Sequence, residues 1–295
     1  MPDAGATVRD APATGRSLLG VFPHPDDESL AAALTLLHSA AQGVDTHVVT
    51  CTGGENGENL AGIEMDLPMD EQRRVEMAAA ADALRLSSHA WLGYRDSGMV
   101  GTPENEHAEA FTNADLDEAG LRVAAHVRRV RPQVVISDDA KGTYGHPDHI
   151  MGHRVTVRAI ELAADPDAPV EGAPHVVDLH VSHAIPLGEL QRLHEELIGR
   201  GLESPFGGDD VPGDFGTPDA EVVTRVHAPE QADGKRVAML AHRSQVGEDS
   251  YFFNFPDDLF REFMAVEAFA VVSSARPLGE AERSALATDL FAGVA

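Results

Sequence analysis

The chain has 295 residues, 43% of them hydrophobic and 24% charged, and its 49 acidic against 22 basic side chains leave a formal charge of −27. That length can bury a large core, while the acidic excess argues against nucleic acid or an anionic membrane as a partner, since either would be repelled. Cys51 is the single cysteine, which excludes an intrachain disulfide and a thiolate metal cluster.

Residues 1–16 lack an apolar targeting segment and are expected to be flexible; no later run approaches the roughly 18 apolar residues of a membrane span, so the expected location is cytoplasmic. Residues 17–23 (SLLGVFP) form a short buried strand, followed by a helix over 28–42, a strand at 47–50, a helix over 70–86 and a strand at 90–92. Residues 116–131 carry apolar positions at helical spacing and stop at Arg131-Pro132; 134–137 (VVIS) is a second buried strand, and a helix runs over 147–164. The Pro/Asp-rich stretch 165–174 is a linker or loop, after which 176–184 and 221–228 read as strands around an amphipathic helix over 187–201. The alternation predicts an α/β fold with a Rossmann-like, mostly parallel sheet, helices on both faces and a smaller C-terminal α+β portion. In this scheme 17–164 form the catalytic core, and 165–295 complete the sheet and the pocket within the same domain. Two loops are long enough to shape that pocket: 53–68, and 203–220 with Phe206 and Phe215 as its apolar anchors. The aromatic run 251–255 either lines it or packs in the core.

The chemistry is concentrated in two segments that each follow an apolar run, His24-Pro25-Asp26-Asp27-Glu28 and His146-Pro147-Asp148-His149. A catalytic zinc takes about three protein ligands drawn from imidazole nitrogen and carboxylate oxygen, and hydrolysis needs in addition a base for the attacking water and an acid for the departing amine. His24, Asp26, Asp27, His146 and His149 offer both ligands and spares. Each segment alone also reads as a plain helix start, with Pro and acidic residues in the first turn. In open parallel sheets, however, ligands sit beyond the strand carboxyl ends where the strand order switches, so two such loops can converge. His24, Asp26 and His149 also fit the two-His-one-carboxylate triad of non-haem iron oxygenases, and a closed structural or sensing metal site is the non-enzymatic alternative. His153 lies four residues after His149 without the intervening Glu of a metalloprotease helix and is assigned to the core or to support of the site. His180, His183 and His242 receive no role beyond packing.

The two His-Pro-Asp segments, with Tyr144-Gly145 before the second, resemble the PIG-L/LmbE family of zinc N-deacetylases. Thr52-Gly53-Gly54-Glu55, Met65-Asp66-Leu67-Pro68, Arg73-Arg74-Val75-Glu76-Met77 and Arg95-Asp96-Ser97-Gly98-Met99 are similar to its mycothiol branch. The resemblance covers about residues 17–160. It implies His24, Asp27 and His149 as zinc ligands (Fe2+ being possible) and Asp26 as general base. His146 would protonate the amine or steady the oxyanion, Tyr144 would polarise the carbonyl, and Asp148 would orient the neighbouring His. Arg73 and Asp96 would hold sugar-inositol hydroxyls. Two activities of that branch cleave an amide on glucosamine nitrogen: an amidase of mycothiol S-conjugates, which the Thr-Gly-Gly-Glu and Met-Asp-Leu-Pro stretches favour, and an N-acetylglucosaminyl-inositol deacetylase. Against the amidase, its Lys shortly after the first motif is replaced here by Ser29-Leu30-Ala31-Ala32-Ala33.

Overall fold

The computed structural model describes residues 15–207, 211–212, 216–247, 250, 253, 255–292 and 294. Among them β1 (Ser17–Phe22), β2 (Asp45–Thr52), β3 (Ser88–Tyr94), β4 (Val134–Ser137), β5 (Leu179–Ala184), β6 (Thr224–His227) and β7 (Val266–Ser274) form one sheet, ordered β3-β2-β1-β4-β5-β7-β6. The five strands β1 to β5 are mutually parallel, and β7 runs antiparallel to both β5 and β6. Its connections are α1 (Asp27–Ala31), α2 (Ala33–Ala41), α3 (Met69–Ala83), α4 (Leu116–Val130), α5 (Pro147–Ala164), α6 (Leu187–Gly199), α7 (Ala232–Ala241), α8 (Asp257–Phe263) and α9 (Glu280–Leu286). No helix among the described residues is long and apolar enough to cross a membrane.

The sheet is covered on both faces, which is why β1 reads as a nearly continuous apolar run with all six residues buried. Leu18, Val48, Val134, Ile136 and Val181 point to one side, where Leu36 and Leu37 of α2 and Met77 of α3 pack on them. Leu19, Val21, Val49 and Val135 point to the other, against Val123 and Val127 of α4 and Val155 and Ala159 of α5. The two-residue period of the strands thus sorts one sequence into two cores. Helix ends follow local chemistry. The Asp115 carboxylate accepts the Glu118 amide at 2.9 Å to start α4, and Arg131 at φ 48° ends it before Pro132. His146 caps α5 with Pro147 in its first turn.

One expectation needs correction, and one stretch had been left unassigned. The helix expected over 28–42 is broken at Ala32, whose φ of −143° separates α1 from α2. Lys235 Nζ donates to Leu30 O at 3.0 Å, closing the end of α1, and to Glu267 Oε1 at 2.7 Å. Glu267 in turn accepts the free amides of Leu34 and Thr35 at 3.0 and 2.8 Å, opening α2. A buried ion pair is tolerated when further hydrogen bonds occupy its remaining capacity, as here. No element was expected over 257–286, where α8, β7 and α9 lie; β7 is the strand that joins β5 to β6. Phe215, Tyr251, Phe252 and Asn254 lie outside the described residues.

From β1 the chain winds outward through β2 and β3, then restarts at β4 on the opposite side and winds through β5. The strand order therefore reverses between β1 and β4, and the two His-Pro-Asp segments follow those two strands.

Two buried histidines of the sheet make stability pH-dependent. Burial holds His180 at about 3 and His47 at about 4, against an ordinary 6.5. The unfolded chain takes up these protons as pH falls through about 6.5, whereas the folded chain does not, so stability is full above that value and falls below it. By pH 4.5 the loss should reach roughly 2–3 kcal/mol per histidine. Urea unfolding at pH 7.5 and 4.5 measures it, and His180→Leu should weaken the dependence; an unchanged slope would remove His180 from the account.

Candidate active site at the strand switch

His24 comes from the turn after β1, Asp27 from the first position of α1, and His149 from the first turn of α5. Asp27 Oδ2 lies 3.4 Å from His24 Nδ1 and 3.6 Å from His149 Nε2. The far nitrogen of each imidazole is pinned: His24 Nε2 by Asp148 Oδ2 at 3.2 Å, His149 Nδ1 by Asp138 Oδ1 at 3.0 Å. His149 Nε2 is left buried without a hydrogen-bond partner. Two groups of metal-capable atoms, each within 4.8 Å of one another, share His24: one adds His146 and His149, the other Asp96 and Asp148. The second is already engaged, because Asp148 accepts the Ser97 amide at 2.9 Å as well as the Ser97 hydroxyl, and Asp96 accepts the amides of Gly98 and Asn56. The imidazoles with Asp27 form the open set. An orphaned ring nitrogen facing a carboxylate, backed by carboxylates that fix both rings, is a donor set suited to a divalent cation.

Asp26 sits beside this group at φ 132°, a conformation rarely taken by any residue but glycine. Its amide donates to Glu28 Oε2 at 3.0 Å, and its carboxylate lies 3.0 Å from Arg73 Nη2. Arg73 is buried, its other contacts being Pro25 O at 2.5 Å and Gly54 O at 3.0 Å. Behind Glu28 stands His242 Nε2 at 2.7 Å, both side chains fully buried.

These contacts set the charges. Burial raises Asp26 to about 6, with the Arg73 guanidinium pulling down and Asp27 pushing up. Burial opposes charge on Asp27 too, but His149 and His24 hold its carboxyl well below the usual range. Against burial, Asp148 and Asp27 raise His24, while Asp27 and Asp138 raise His149. His146 differs: burial and the neighbouring His24 lower it to about 4. Its Nδ1 accepts the Asp148 amide at 3.1 Å, so in the neutral ring Nε2 carries the proton. His146 lies 4.7 Å from His24 and 5.4 Å from His149 between ring centroids, and Tyr144, exposed at the rim, is 5.2 Å from His149.

Comparison with known proteins agrees with this constellation. A family profile described as PIG-L, GlcNAc-PI de-N-acetylase, matches residues 19–160. A protein of Catenulispora acidiphila named 1D-myo-inositol 2-acetamido-2-deoxy-alpha-D-glucopyranoside deacetylase 1 is 40% identical over 99% of this chain and 93% of its own. The chain belongs to the PIG-L family. A deacetylase of the same name without the number, from Acidothermus cellulolyticus, is 40% identical over 95% of both chains. The N,N'-diacetylchitobiose deacetylase of Pyrococcus horikoshii shares the fold, with a TM-score of 0.56 at 17% identity over 87% of this chain and 84% of its own. As a PIG-L member the chain is an amide-cleaving hydrolase, which replaces the oxygenase and structural-module alternatives.

Of the residues expected from sequence, the structure brings His24, Asp26, Asp27, Tyr144, His146, Asp148 and His149 together. Arg73 and Asp96 are also here, but both are buried and held by the protein: Arg73 stands behind Asp26, and Asp96 fixes the loops carrying Asn56 and Gly98. Asp138 was missed. Its signal is an acid directly after β4, at the strand end where ligands gather. Ser97, which holds Asp148, and the Glu28–His242 pair were given no role, although Glu28 and Ser97 lie within the quoted segments; their partners are distant in sequence. If Asp138 orients His149, Asp138→Ala should weaken divalent-metal affinity by about 10- to 100-fold. Equilibrium dialysis with zinc tests this, and an unaltered affinity would exclude the role.

Proposed function

We propose that this PIG-L protein is a zinc-dependent N-deacetylase of an N-acetylglucosaminyl-inositol, with ferrous iron as the alternative cation. The observation that carries this reading is the convergence of Asp26 and His146 on the His24, Asp27 and His149 group at the strand switch. The substrate is taken from the names of relatives aligned over 95% or more of the chain. His24 Nδ1, Asp27 Oδ2 and His149 Nε2 would hold the cation. When bound, it supplies Lewis acidity, drawing charge from the amide carbonyl and acidifying water.

Asp26, ionised at neutral pH because its carboxyl titrates near 6, accepts the proton of the attacking water. Arg73 keeps that carboxylate aimed and charged. His146, with its proton on Nε2 and Nδ1 locked by the Asp148 amide, donates a hydrogen bond to the developing oxyanion, and Asp26 returns the proton it took from water to the departing nitrogen. Tyr144 contributes a second donor, its hydroxyl, from the rim. The C–N bond breaks, leaving a carboxylate and a free amine.

Asp26→Asn should retain metal while lowering kcat by about 100- to 10,000-fold, whereas His149→Ala should lose metal first; metal analysis beside kinetics separates them, and equal metal loss in both would overturn the base assignment. The acidic limb of the pH–rate profile should lie near 6. Arg73→Met removes the cation that lowers Asp26, so the limb should move to higher pH by about 1–3 units; no movement would detach Arg73 from the base. For substrate, the metal-loaded protein is given N-acetylglucosaminyl-inositol and an S-conjugated mycothiol together, with products read by mass spectrometry. Preferential release of acetate supports the deacetylase, and preferential cleavage of the conjugate makes the protein the amidase.

A further inference from the structure

A cavity of about 460 Å3 opens from the site, touching Asp27, Asp138, Tyr144 and His149 at one end. The remainder of its wall is largely apolar, including Leu190 and Leu193 of α6, Phe263 of α8, and Met264. The charged groups along it are already matched: Lys235 stands 2.7 Å from Glu267, and Glu189 2.9 Å from Arg225. His183 and Thr143 are the remaining polar side chains of the lining, so a sugar or inositol ring placed here would surrender hydration of its hydroxyls for few partners, whereas a hydrocarbon chain gives up nothing. Cavities of roughly 300–1,000 Å3 receive whole drug-sized ligands, so an acetyl methyl would leave most of this one unfilled.

The site is also two-sided. His146, Asp148, Asp96, Asp26 and Arg73 lie outside the cavity lining. Asp26, which returns the proton to the departing amine, lies with His146 outside that lining, so the sugar belongs on their side. The acyl carbon then directs its other substituent past Tyr144 and His149, into the apolar cavity.

We propose that this cavity is an acyl pocket for medium-length chains, through which the enzyme also removes hexanoyl or octanoyl groups from a glucosamine nitrogen. The step is a hydrolysis: the water oxygen bonds to the acyl carbon, the C–N bond breaks, the nitrogen leaves carrying the proton, and the products are a fatty carboxylate and the free amine. The inference rests on the amide-hydrolase reading above.

The test compares kcat/KM of the metal-loaded protein on the N-acetyl, N-hexanoyl and N-octanoyl forms of glucosaminyl-inositol. Each buried methylene is worth about fourfold, so octanoyl should exceed acetyl by at least about tenfold. Leu193→Trp and Met264→Trp, which fill the cavity from two different elements, should each lower the octanoyl rate by about tenfold and leave acetyl within about twofold. Calorimetry adds a readout independent of turnover: octanoate should bind with a negative heat-capacity change, which acetate lacks. Cleavage of acetyl alone would overturn the acyl pocket while leaving the deacetylase standing. Equal losses for both substrates in both variants would also overturn it, as would octanoate binding no differently from acetate. Cleavage of none of the three would remove the hydrolase reading and this inference together.

Discussion

A carboxylate withdrawn from water must be given a partner, and that requirement organises the carboxyl end of this sheet. Asp148 is matched by His24, Asp138 by His149, Glu28 by His242 and Glu267 by Lys235. In the first two pairs the imidazole has one nitrogen held and the other turned toward Asp27. Of the other two pairs, Glu28–His242 stands behind the turn that carries Asp26, and Lys235–Glu267 holds the break between α1 and α2. Pairing thus does two things at once: it makes buried charge tolerable, and it aims the atoms that would meet metal and substrate.

Much of this was legible in the chain. Strand and helix alternate with clear periodicity, and each His-Pro-Asp segment falls where an apolar run ends, so the parallel core and the convergence of the two loops could be read in advance. The helix over 147–164 was bounded by Pro147, which is pre-organised for a first turn. What could not be read depends on partners distant in sequence. Nothing in Ala31-Ala32-Ala33 marks a break, alanine being the best helix former; the break exists because Lys235 and Glu267 arrive from more than 200 positions away. The strand Val266–Ser274 places a glutamate in the core, which argues against a strand until Lys235 is seen beside it.

Arg73 and Asp96 show the same limit at the site. Their side chains are of the kind that hold hydroxyls, and sequence alone cannot say whether they face a ligand or the protein. In the fold, Arg73 turns inward to Asp26 and Asp96 ties two loops together, so both serve the frame around the base. The wall beyond Tyr144 and His149 is of opposite character, being largely apolar. One cluster of titrating groups therefore borders a polar layer on one side and a largely apolar wall on the other.

The Lys235–Glu267 clamp has a bearing on how the chain is made. Ribosomal synthesis delivers the N-terminal end first, and contacts between distant residues form late because a long loop must be closed. The turn bearing Asp26 leaves the ribosome early, but the groups that cap the end of α1 and the start of α2 just after it lie in the last third of the chain. The first motif to be translated is consequently among the last to be locked, and a truncated or stalled chain holds every expected ligand without the brace that sets them in place.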